Sequence, residues 1–386
     1  MLESLAAFGN HLPIRIRFGD GEIARLPEIL ATEGAQSTVV IIDRAVSEHA
    51  AITNALGACP GTVTCWIKEP GEPTTDDVAA SAAVLANVQA DAVVAIGGGS
   101  AMDTAKAARL VYGSNTPYTD YAAGKASYSE SPVLFITIPT TSGTGSEVSG
   151  GIVVTDSATH HKAGIAHPTI RAKYAIVDPE LTYGLPSVPT ANAGIDAIAQ
   201  AIAAVAVTAR TPIGNAIALE SIRLGVEALP VIVRDGSDRG GRSRMAASSL
   251  LAGLCMNISD CGSEHSIAQS IGGKYGLPHG LTVGLVLAET MNVDRQAVPE
   301  LFERVADAMS APDDGSRDGS RAVRTVQLLL SGIGFPTLRA SGVVYDDLPA
   351  LAEAAMKDYF ITVAPHTWTV DDVLAAYHEA WQIESR

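Results

Sequence analysis

The chain is short of basic residues and of long apolar runs. Lysine and arginine together number 26 among 386 residues, against 42 aspartates and glutamates, which leaves a formal net charge of −16 at pH 7. Such an acidic chain repels phosphate backbones and anionic lipids, so we expect neither nucleic acid nor a membrane as a partner. No apolar run reaches the roughly 20 residues that a membrane-spanning helix needs. The N-terminus also lacks the basic and apolar regions of a signal peptide, so we expect a cytoplasmic protein.

Cysteine is scarce as well. The four cysteines are Cys59, Cys65, Cys255 and Cys261, and no two of them have C-x-x-C spacing. They are too few for a disulfide scaffold and wrongly spaced for a zinc cage. We expect reduced thiols, most of which serve in packing.

What the chain does contain is enough apolar sequence for two domains, since 47% of the residues are hydrophobic. The N-terminal half alternates apolar strand patterns with helical ones, which predicts a doubly wound parallel sheet with ligands at the carboxyl ends of its strands. Beyond Thr190 the segments become Ala-rich and helical in spacing. We therefore predict an α/β dinucleotide-binding domain over residues 1–188 and an all-α domain over 189–386, with a ligand cleft between them. Arg234–Arg242 and Ala311–Ser320 predict polar, flexible loops.

A glycine turn lies at the centre of the first half. Gly97, Gly98, Gly99 and Ser100 stand between a predicted buried strand, Ala92–Ile96, and a helical pattern. Consecutive glycines let the backbone turn tightly and approach a ligand, and the unpaired N–H groups of a helix start favour a pyrophosphate. The alternative is a strand-to-helix connection without a ligand.

Asp43 follows another predicted strand, Ser37–Ile42. A carboxylate at a strand's carboxyl end accepts hydrogen bonds from an adenine-ribose diol and repels a 2′-phosphate. Together with the glycine turn, Asp43 therefore favours NAD(H) over NADP(H). On position alone, a simple turn former is an equal alternative.

A run of small and hydroxylated residues, Thr140–Glu147, directly follows the predicted strand Val133–Pro139. We expect such residues to contribute little to a core, and their hydroxyls and backbone N–H groups suit phosphates and a ribose. The run predicts a ligand loop, with a mobile surface loop as the alternative.

Candidate metal ligands occur in the helical half. Asp196 and Gln200 have i, i+4 spacing on an otherwise apolar helix face, and His265 and Gln269 repeat that spacing. With His279, at the start of a further helix, one Asp and two His would form a three-ligand site for Zn²⁺ or Fe²⁺. Each residue taken alone has another explanation. Asp196 could be a charge in the first turn of its helix, and each His could be a buried polar residue with a hydrogen-bond partner.

Several motifs resemble those of the iron-containing (group III) alcohol dehydrogenases, from about Phe18 to Met291. They are Phe18-Gly19-x-Gly21, Glu72-Pro73-Thr74, Gly97-Gly98-Gly99-Ser100-x-x-Asp103-x-x-Lys106, Pro139-Thr140-Thr141-Ser142-Gly143-Thr144-Gly145-Ser146-Glu147-Val148, Gly194-Ile195-Asp196-Ala197 and Pro278-His279-Gly280. The resemblance implies a dehydroquinate synthase-like architecture, hydride transfer at a metal in the cleft, and a homodimer. It also implies cofactor contacts from Asp43, the glycine turn, Thr140, Thr141, Thr144, Lys162, and Leu181 and Leu185 of Leu181-Thr182-x-x-Leu185.

The chain departs from that family's pattern at two histidines. Gln200 stands where members with four metal ligands carry His, and Gln269 replaces a His often assigned to proton relay. An amide oxygen is a poor ligand for zinc or iron, and Gln does not shuttle protons near neutral pH. A metal at Asp196, His265 and His279, with Gln200 as a fourth candidate ligand, and a metal-free site both stay open. Without a metal, His265 or His279 would act as general acid, with Gln200 and Gln269 orienting substrate.

The favoured function is an NAD(H)-dependent alcohol dehydrogenase or aldehyde or ketone reductase that acts on a small molecule. One alternative is a metal-independent reductase like the maleylacetate reductases. A lyase of the dehydroquinate-synthase type is another, although Lys274 and Lys357 are the only lysines beyond residue 188 for a phosphorylated substrate. The third alternative is a degenerate NAD-binding protein.

Overall fold

The computed structural model describes residues 8–114, 116–159 and 162–384. Its first part alternates strands and helices, as the sequence predicts. In chain order these are β1 (Arg15–Phe18), α1 (Leu26–Glu33), β2 (Ser37–Asp43), α2 (Ala50–Gly57), β3 (Thr62–Lys68), α3 (Thr75–Asn87), β4 (Ala92–Gly97), α4 (Gly99–Val111), α5 (Tyr118–Ala122), β5 (Leu134–Pro139), β6 (Gly151–Thr155), β7 (Lys162–Ala166) and β8 (Tyr174–Val177). Short 3₁₀ turns lie at Glu22–Arg25, Arg44–Val46, Pro168–Ile170 and Pro179–Thr182.

The strands form one parallel sheet in the order β1-β8-β5-β4-β2-β3, beside a separate antiparallel hairpin of β6 and β7. Alternate residues of the inner strands enter different cores. Val40 and Ile42 pack on one face of the sheet, whereas Val39 and Ile41 pack on the other. This is the burial expected of a parallel sheet covered by helices on both faces, because successive side chains of a strand point in opposite directions. The predicted doubly wound parallel sheet is confirmed.

The second part is helical. Its helices are α6 (Ser187–Ala206), α7 (Pro212–Arg234), α8 (Arg239–Ser259), α9 (Ser263–Tyr275), α10 (His279–Asp294), α11 (Pro299–Ala308), α12 (Ser320–Gly332), α13 (Leu348–Ala355) and α14 (Val370–Gln382), with 3₁₀ turns at Tyr345–Asp347 and Phe360–Val363. From Gly194 to its end, α6 is buried on every side. A helix buried all round belongs in a core, and the alanines and single glycine of α6 let neighbours approach closely. At Gly194, for example, an added Cβ would lie 2.3 Å from Leu229 Cδ1.

The expectation of a polar loop over Arg234–Arg242 is wrong for its last part, because α8 begins at Arg239. The Asp238 carboxylate caps this helix and accepts the Gly241 N–H at 2.6 Å. The Arg242 guanidinium is buried and donates to Thr190 Oγ1 at 2.9 Å and to the Leu185 carbonyl at 2.8 Å. Tertiary contacts therefore override a local composition that favours a loop.

The small-residue run Thr140–Glu147 was expected to contribute little to packing, and this is also wrong. Ser142, Ser146 and Glu147 are buried, and the two glycines between them pack against the helical half. A Cβ added to Gly143 would lie 2.8 Å from Ala193 Cβ. A Cβ added to Gly145 would lie 2.3 Å from Gly253 Cα. Small residues are required here because two backbones meet with no side chain between them.

Among the described residues, no helix is both long and apolar enough to span a bilayer.

The contact between Gly145 and Gly253 can be tested by G145A. Gly145 has φ +61°, so alanine would suffer both an unfavourable backbone conformation and a clash with α8. We expect a loss of about 2–4 kcal/mol in the free energy of unfolding, seen as a lower denaturation midpoint. The control is G273A in α9, where an added Cβ meets nothing within 4 Å. That variant should gain about 0.5–1 kcal/mol, and an equal loss in both variants would contradict the analysis.

Candidate active site

The glycine turn connects β4 to α4 at the carboxyl edge of the sheet. Gly97 has φ +153°, and an added Cβ there would lie 2.2 Å from Asp43 Oδ2. That same oxygen accepts the Gly98 N–H at 2.7 Å. Burial raises the pKa of Asp43 against the opposing effects of this hydrogen bond and of Lys68. Asp43 therefore holds the turn with one carboxylate oxygen, a contact that the sequence does not reveal.

The predicted ligand loop lies beside this turn. A Cβ added to Gly98 would lie 3.4 Å from Thr141 Oγ1, and a Cβ added to Gly99 would lie 3.0 Å from Thr144 Cγ2. The Thr140 N–H donates to the Gly97 carbonyl at 2.9 Å. The structure thus brings the glycine turn and the three predicted threonines to one edge of the sheet.

The start of α4 has the features of an anion site. No side chain caps this helix, so its first N–H groups face the edge of the sheet without a side-chain acceptor. The Ser100 hydroxyl donates to the Gly71 carbonyl at 2.6 Å and so ties the helix start to the turn before α3. An uncapped helix start after a glycine turn fits a pyrophosphate.

Two residues of the glycine motif, Asp103 and Lys106, hold the loop in place. The Lys106 ammonium is buried and donates to Ser146 Oγ at 2.6 Å and to the Gly151 carbonyl at 2.8 Å. Asp103 accepts from Ser146 Oγ at 2.8 Å and from the Val153 N–H at 2.9 Å. Sequence reasoning did not assign them a role. Their signal in the sequence is an acid and a lysine at i, i+3 spacing on an Ala-rich helix.

The other three predicted cofactor residues lie in different surroundings. Lys162 Nζ is 2.9 Å from Glu72 Oε2. Leu181 is 4% exposed and packs in the core on one face of the sheet. Leu185 is half-buried, and its carbonyl accepts from Arg242. Their contact with a cofactor stays a prediction.

The predicted Asp and His residues converge from three helices. Asp196 lies on α6, His265 on α9 and His279 at the start of α10. Asp196 Oδ1 is 3.6 Å from His265 Nε2 and 3.5 Å from His279 Nε2. One ligand atom from each residue falls within 4.8 Å of the other two. At Gly280 an added Cβ would lie 2.3 Å from the Asn192 carbonyl, so this glycine lets α10 bring His279 against α6.

The electrostatics of the cluster favour a bound positive charge. Burial raises the pKa of Asp196, but His279, His265 and Gln200 outweigh it, so the pKa lies below its usual value. Burial lowers the pKa of His265, but Cys261, Asp196 and Glu264 outweigh it and raise the pKa well above its usual value. Either a proton or a divalent metal ion would bring positive charge to the cluster.

Unpaired polar atoms show that the residues fit a metal. Asp196 Oδ1, His265 Nε2 and Gln200 Oε1 are buried and have no hydrogen-bond partner among the described residues. Buried polar atoms in native proteins are nearly always paired, and an ion is one explanation for those that are not. Gln200 Nε2 donates to Asp196 Oδ2 at 3.1 Å and to the Thr144 carbonyl at 3.4 Å. Gln200 therefore orients the Asp196 carboxylate, and its role as a ligand stays a prediction.

Gln269, the second predicted glutamine, lies one turn beyond His265 on α9 and is half-buried. Its predicted role in orienting substrate stays a prediction. Phe360 approaches His265 edge to face, with ring centroids 6.0 Å apart.

Comparison with known proteins identifies the family. Residues 13–179 match the family described as "Iron-containing alcohol dehydrogenase", and residues 190–381 match "Fe-containing alcohol dehydrogenase family, C-terminal". The chain therefore belongs to the iron-containing alcohol dehydrogenase family, and it is an oxidoreductase that acts on CH–OH groups.

Its relatives include "Probable alcohol dehydrogenase EutG" of Escherichia coli (strain K12), which is 30% identical over 94% of this chain and 92% of that protein. Among solved structures it resembles 1,3-propanediol oxidoreductase, with a TM-score of 0.91 and 28% identity over 97% of this chain and 100% of that one. It also resembles sulfoacetaldehyde reductase from Bifidobacterium kashiwanohense in complex with NAD⁺, with a TM-score of 0.91 and 26% identity over 98% of this chain and 100% of that one.

Behind the cluster, Asp294 at the end of α10 joins two neighbouring elements. It accepts from Ser263 Oγ at 2.6 Å and from Trp368 Nε1 at 2.9 Å. Burial raises its pKa from 3.8 to about 7. Between these pH values the folded protein keeps a proton that the unfolded chain has lost, so the free energy of unfolding falls as pH rises.

The variant D294N tests this pH dependence, because asparagine cannot ionise. Relative to the wild type, its free energy of unfolding should rise by about 2–4 kcal/mol between pH 4 and pH 7.5, on top of a pH-independent loss from the changed hydrogen bonds. Thermal denaturation across this range is the measurement. The control D371N, at an exposed position in the first turn of α14, should run parallel to the wild type. Parallel curves for D294N would show that Asp294 ionises normally.

Proposed function

We propose that the chain is an NAD(H)-dependent alcohol dehydrogenase or aldehyde or ketone reductase with a divalent metal, Fe²⁺ or Zn²⁺, at Asp196, His265 and His279. The observation that carries this proposal is that Asp196 Oδ1 and His265 Nε2 are buried and have no hydrogen-bond partner within the described part of the chain. His279 Nε2 lies 3.5 Å from the same Asp196 oxygen, and its side chain is 28% exposed. Together they offer one carboxylate oxygen and two imidazole nitrogens, a donor set suited to either ion.

A chain of contacts supports a reaction site between the glycine turn and this cluster. Thr144 packs beside Gly99 with its side chain, while its carbonyl accepts from Gln200 Nε2. The other hydrogen bond of that amide nitrogen reaches Asp196. Two residues, Thr144 and Gln200, thus link the predicted nucleotide side to the predicted metal side.

The redox and Lewis-acid chemistry would come from the cofactors. A nicotinamide dinucleotide supplies or accepts the hydride, and a divalent metal supplies Lewis-acid polarisation of the substrate oxygen. The protein's part is positioning and charge. Asp196, His265 and His279 would hold the metal, Gln200 fixes the Asp196 carboxylate, and the first N–H groups of α4 would bind the pyrophosphate. Asp43 holds the turn with Oδ2, and its Oδ1 would accept from the ribose diol, which favours NAD(H).

The substrate is a small alcohol, aldehyde or ketone. Membership of a dehydrogenase family favours hydride transfer over the lyase reaction and over a protein without catalytic activity.

We also propose a domain boundary near residue 188, since the sheet ends at Val177 and α6 begins at Ser187. A cytoplasmic location is supported by the four free thiols, and a homodimer is proposed by analogy with the family.

Metal analysis of the purified protein, with NADH oxidation assayed on a panel of aldehydes and ketones, tests the proposal. We expect one bound Fe²⁺ or Zn²⁺ per chain and activity that a chelator removes and added metal restores. Full activity after complete metal removal would instead support the metal-independent reductase. Absence of turnover with every substrate would contradict the proposed activity.

The variants H265A and H279A should each lose metal and lower kcat/KM by about a thousand-fold, the loss expected when several kcal/mol of charge stabilisation are removed. Steady-state kinetics and metal content are measured on the same samples. The control is H49A, at an exposed position before α2, which should match the wild type. Near-normal activity in both cluster variants would exclude this site.

The variant D43A should lower kcat/KM for NADH by about 10–100-fold, because it removes the acceptor of the Gly98 N–H and of the ribose. The ratio of NADPH to NADH activity should rise at least about ten-fold, since a carboxylate that repels a 2′-phosphate is gone. D76A, at an exposed position in the first turn of α3, is the control. An unchanged NADPH to NADH ratio in D43A would remove Asp43 from cofactor selection.

A further inference from the structure

Glu264 precedes His265 in the first turn of α9, and its carboxylate is held against the imidazole. Glu264 Oε1 is 2.6 Å from His265 Nδ1, and the Glu264 residue is 5% exposed. The Gly262 N–H donates to the same oxygen at 3.3 Å. A side chain at position 262 would displace this arrangement, because an added Cβ would lie 2.7 Å from Glu264 Oε2.

This contact determines which ring nitrogen faces the cluster. A carboxylate accepts from a protonated Nδ1, which leaves Nε2 as the nitrogen that faces Asp196 Oδ1 at 3.6 Å. Outer carboxylates that bind a ligating histidine in this way orient its ring, fix its tautomer and increase its basicity.

We propose that Glu264 is a positioning residue that orients His265 for a divalent cation, an inference that rests on the metal site in the proposed function. It acts through His265, with which its carboxylate is in contact. Its effect is therefore on the affinity of the cluster for the metal and on the coordination geometry.

The rest of the cluster shows why this contact matters. The Asp196 carboxylate has an outer partner of its own, Gln200 Nε2. His279 Nε2 faces Asp196 Oδ1 at 3.5 Å, its side chain is 28% exposed, and among the described residues its ring has no outer hydrogen-bond partner. His265 and Asp196 are thus the two ligands that are held by outer partners.

Titration of the metal-free protein with Co²⁺ tests the proposal. The visible d–d absorption reports coordination geometry, and competition with a chelator gives the apparent dissociation constant. E264A should raise that constant about 10–100-fold and change the visible spectrum. E264Q should give an intermediate value, because its amide oxygen still accepts from Nδ1–H but carries no charge. E264Q also has nearly the shape of the native side chain, so it keeps the test decisive if E264A does not fold.

The control is D371N, which removes an exposed carboxylate in the first turn of α14. Its Co²⁺ affinity should stay within about two-fold of the wild type at pH 8, whatever its thermal midpoint. The proposal would be overturned if E264A and E264Q kept the Co²⁺ affinity and the visible spectrum of the wild type. A lower thermal midpoint of the metal-free variants alone would then show that Glu264 has only a structural role. Absence of Co²⁺ binding by the wild type would overturn the metal site itself, and Glu264 with it.

Discussion

The helical half depends on the ionised carboxylate of Asp196, which is 1% exposed. Removing a carboxylate from water costs several kcal/mol unless opposite charge and hydrogen bonds surround it. Gln200 supplies a hydrogen bond from within α6, and the histidines approach from α9 and α10. The histidines can come this close only if the side chains on the central helix are small. This explains why α6 is rich in alanine and why Gly280 lies directly against the α6 backbone at Asn192. The small residues of α6 are therefore as much a part of the site as the ligands.

The two halves share an apolar cluster that includes Val177 of β8 and Leu250 of α8, and they are also joined by the loop Thr140–Glu147. Thr144 contacts the glycine turn with its side chain and Gln200 with its carbonyl. Asp103 and Lys106 fix the loop from the side of the sheet. Lys106 is buried and donates to Ser146, Ser149 and the Gly151 carbonyl, with the Asp103 carboxylate nearby. Such an arrangement is costly to change, so the loop has one well-defined position. This rigidity would keep a nucleotide and a metal at a constant separation.

Much of the fold follows from patterns that the sequence shows directly. Buried apolar runs predict the parallel strands, and the i, i+4 spacing of Asp196 and Gln200 predicts a contact that the structure contains. The start of α8 was harder to predict, because the composition of Arg239–Arg242 favours a loop, whereas the cap by Asp238 and the distant acceptors of Arg242 stabilise a helix. The burial of Thr140–Glu147 could not be predicted either. Small polar residues are buried there because the backbone of the loop approaches the backbone of α8 closely, and not because they are hydrophobic.

Glu264 illustrates the limit most clearly. Adjacent residues on a helix do not normally face each other, so its position next to His265 in the sequence argues against a contact. The contact forms because Glu264 lies in the first turn of α9, where its side chain folds back toward Gly262 and meets Nδ1. Helix termini thus permit neighbour contacts that a regular helical pattern excludes.

The meeting of Gly145 with Gly253 also constrains how the molecule can move. With no side chain between the two backbones, there is nothing at that point to compress, slide or change rotamer. Rocking of one half against the other would therefore pivot close to this contact. Displacement grows with distance from a fulcrum, so the adjacent link between Thr144 and Gln200 would survive a motion that opens the outer rim of the cleft.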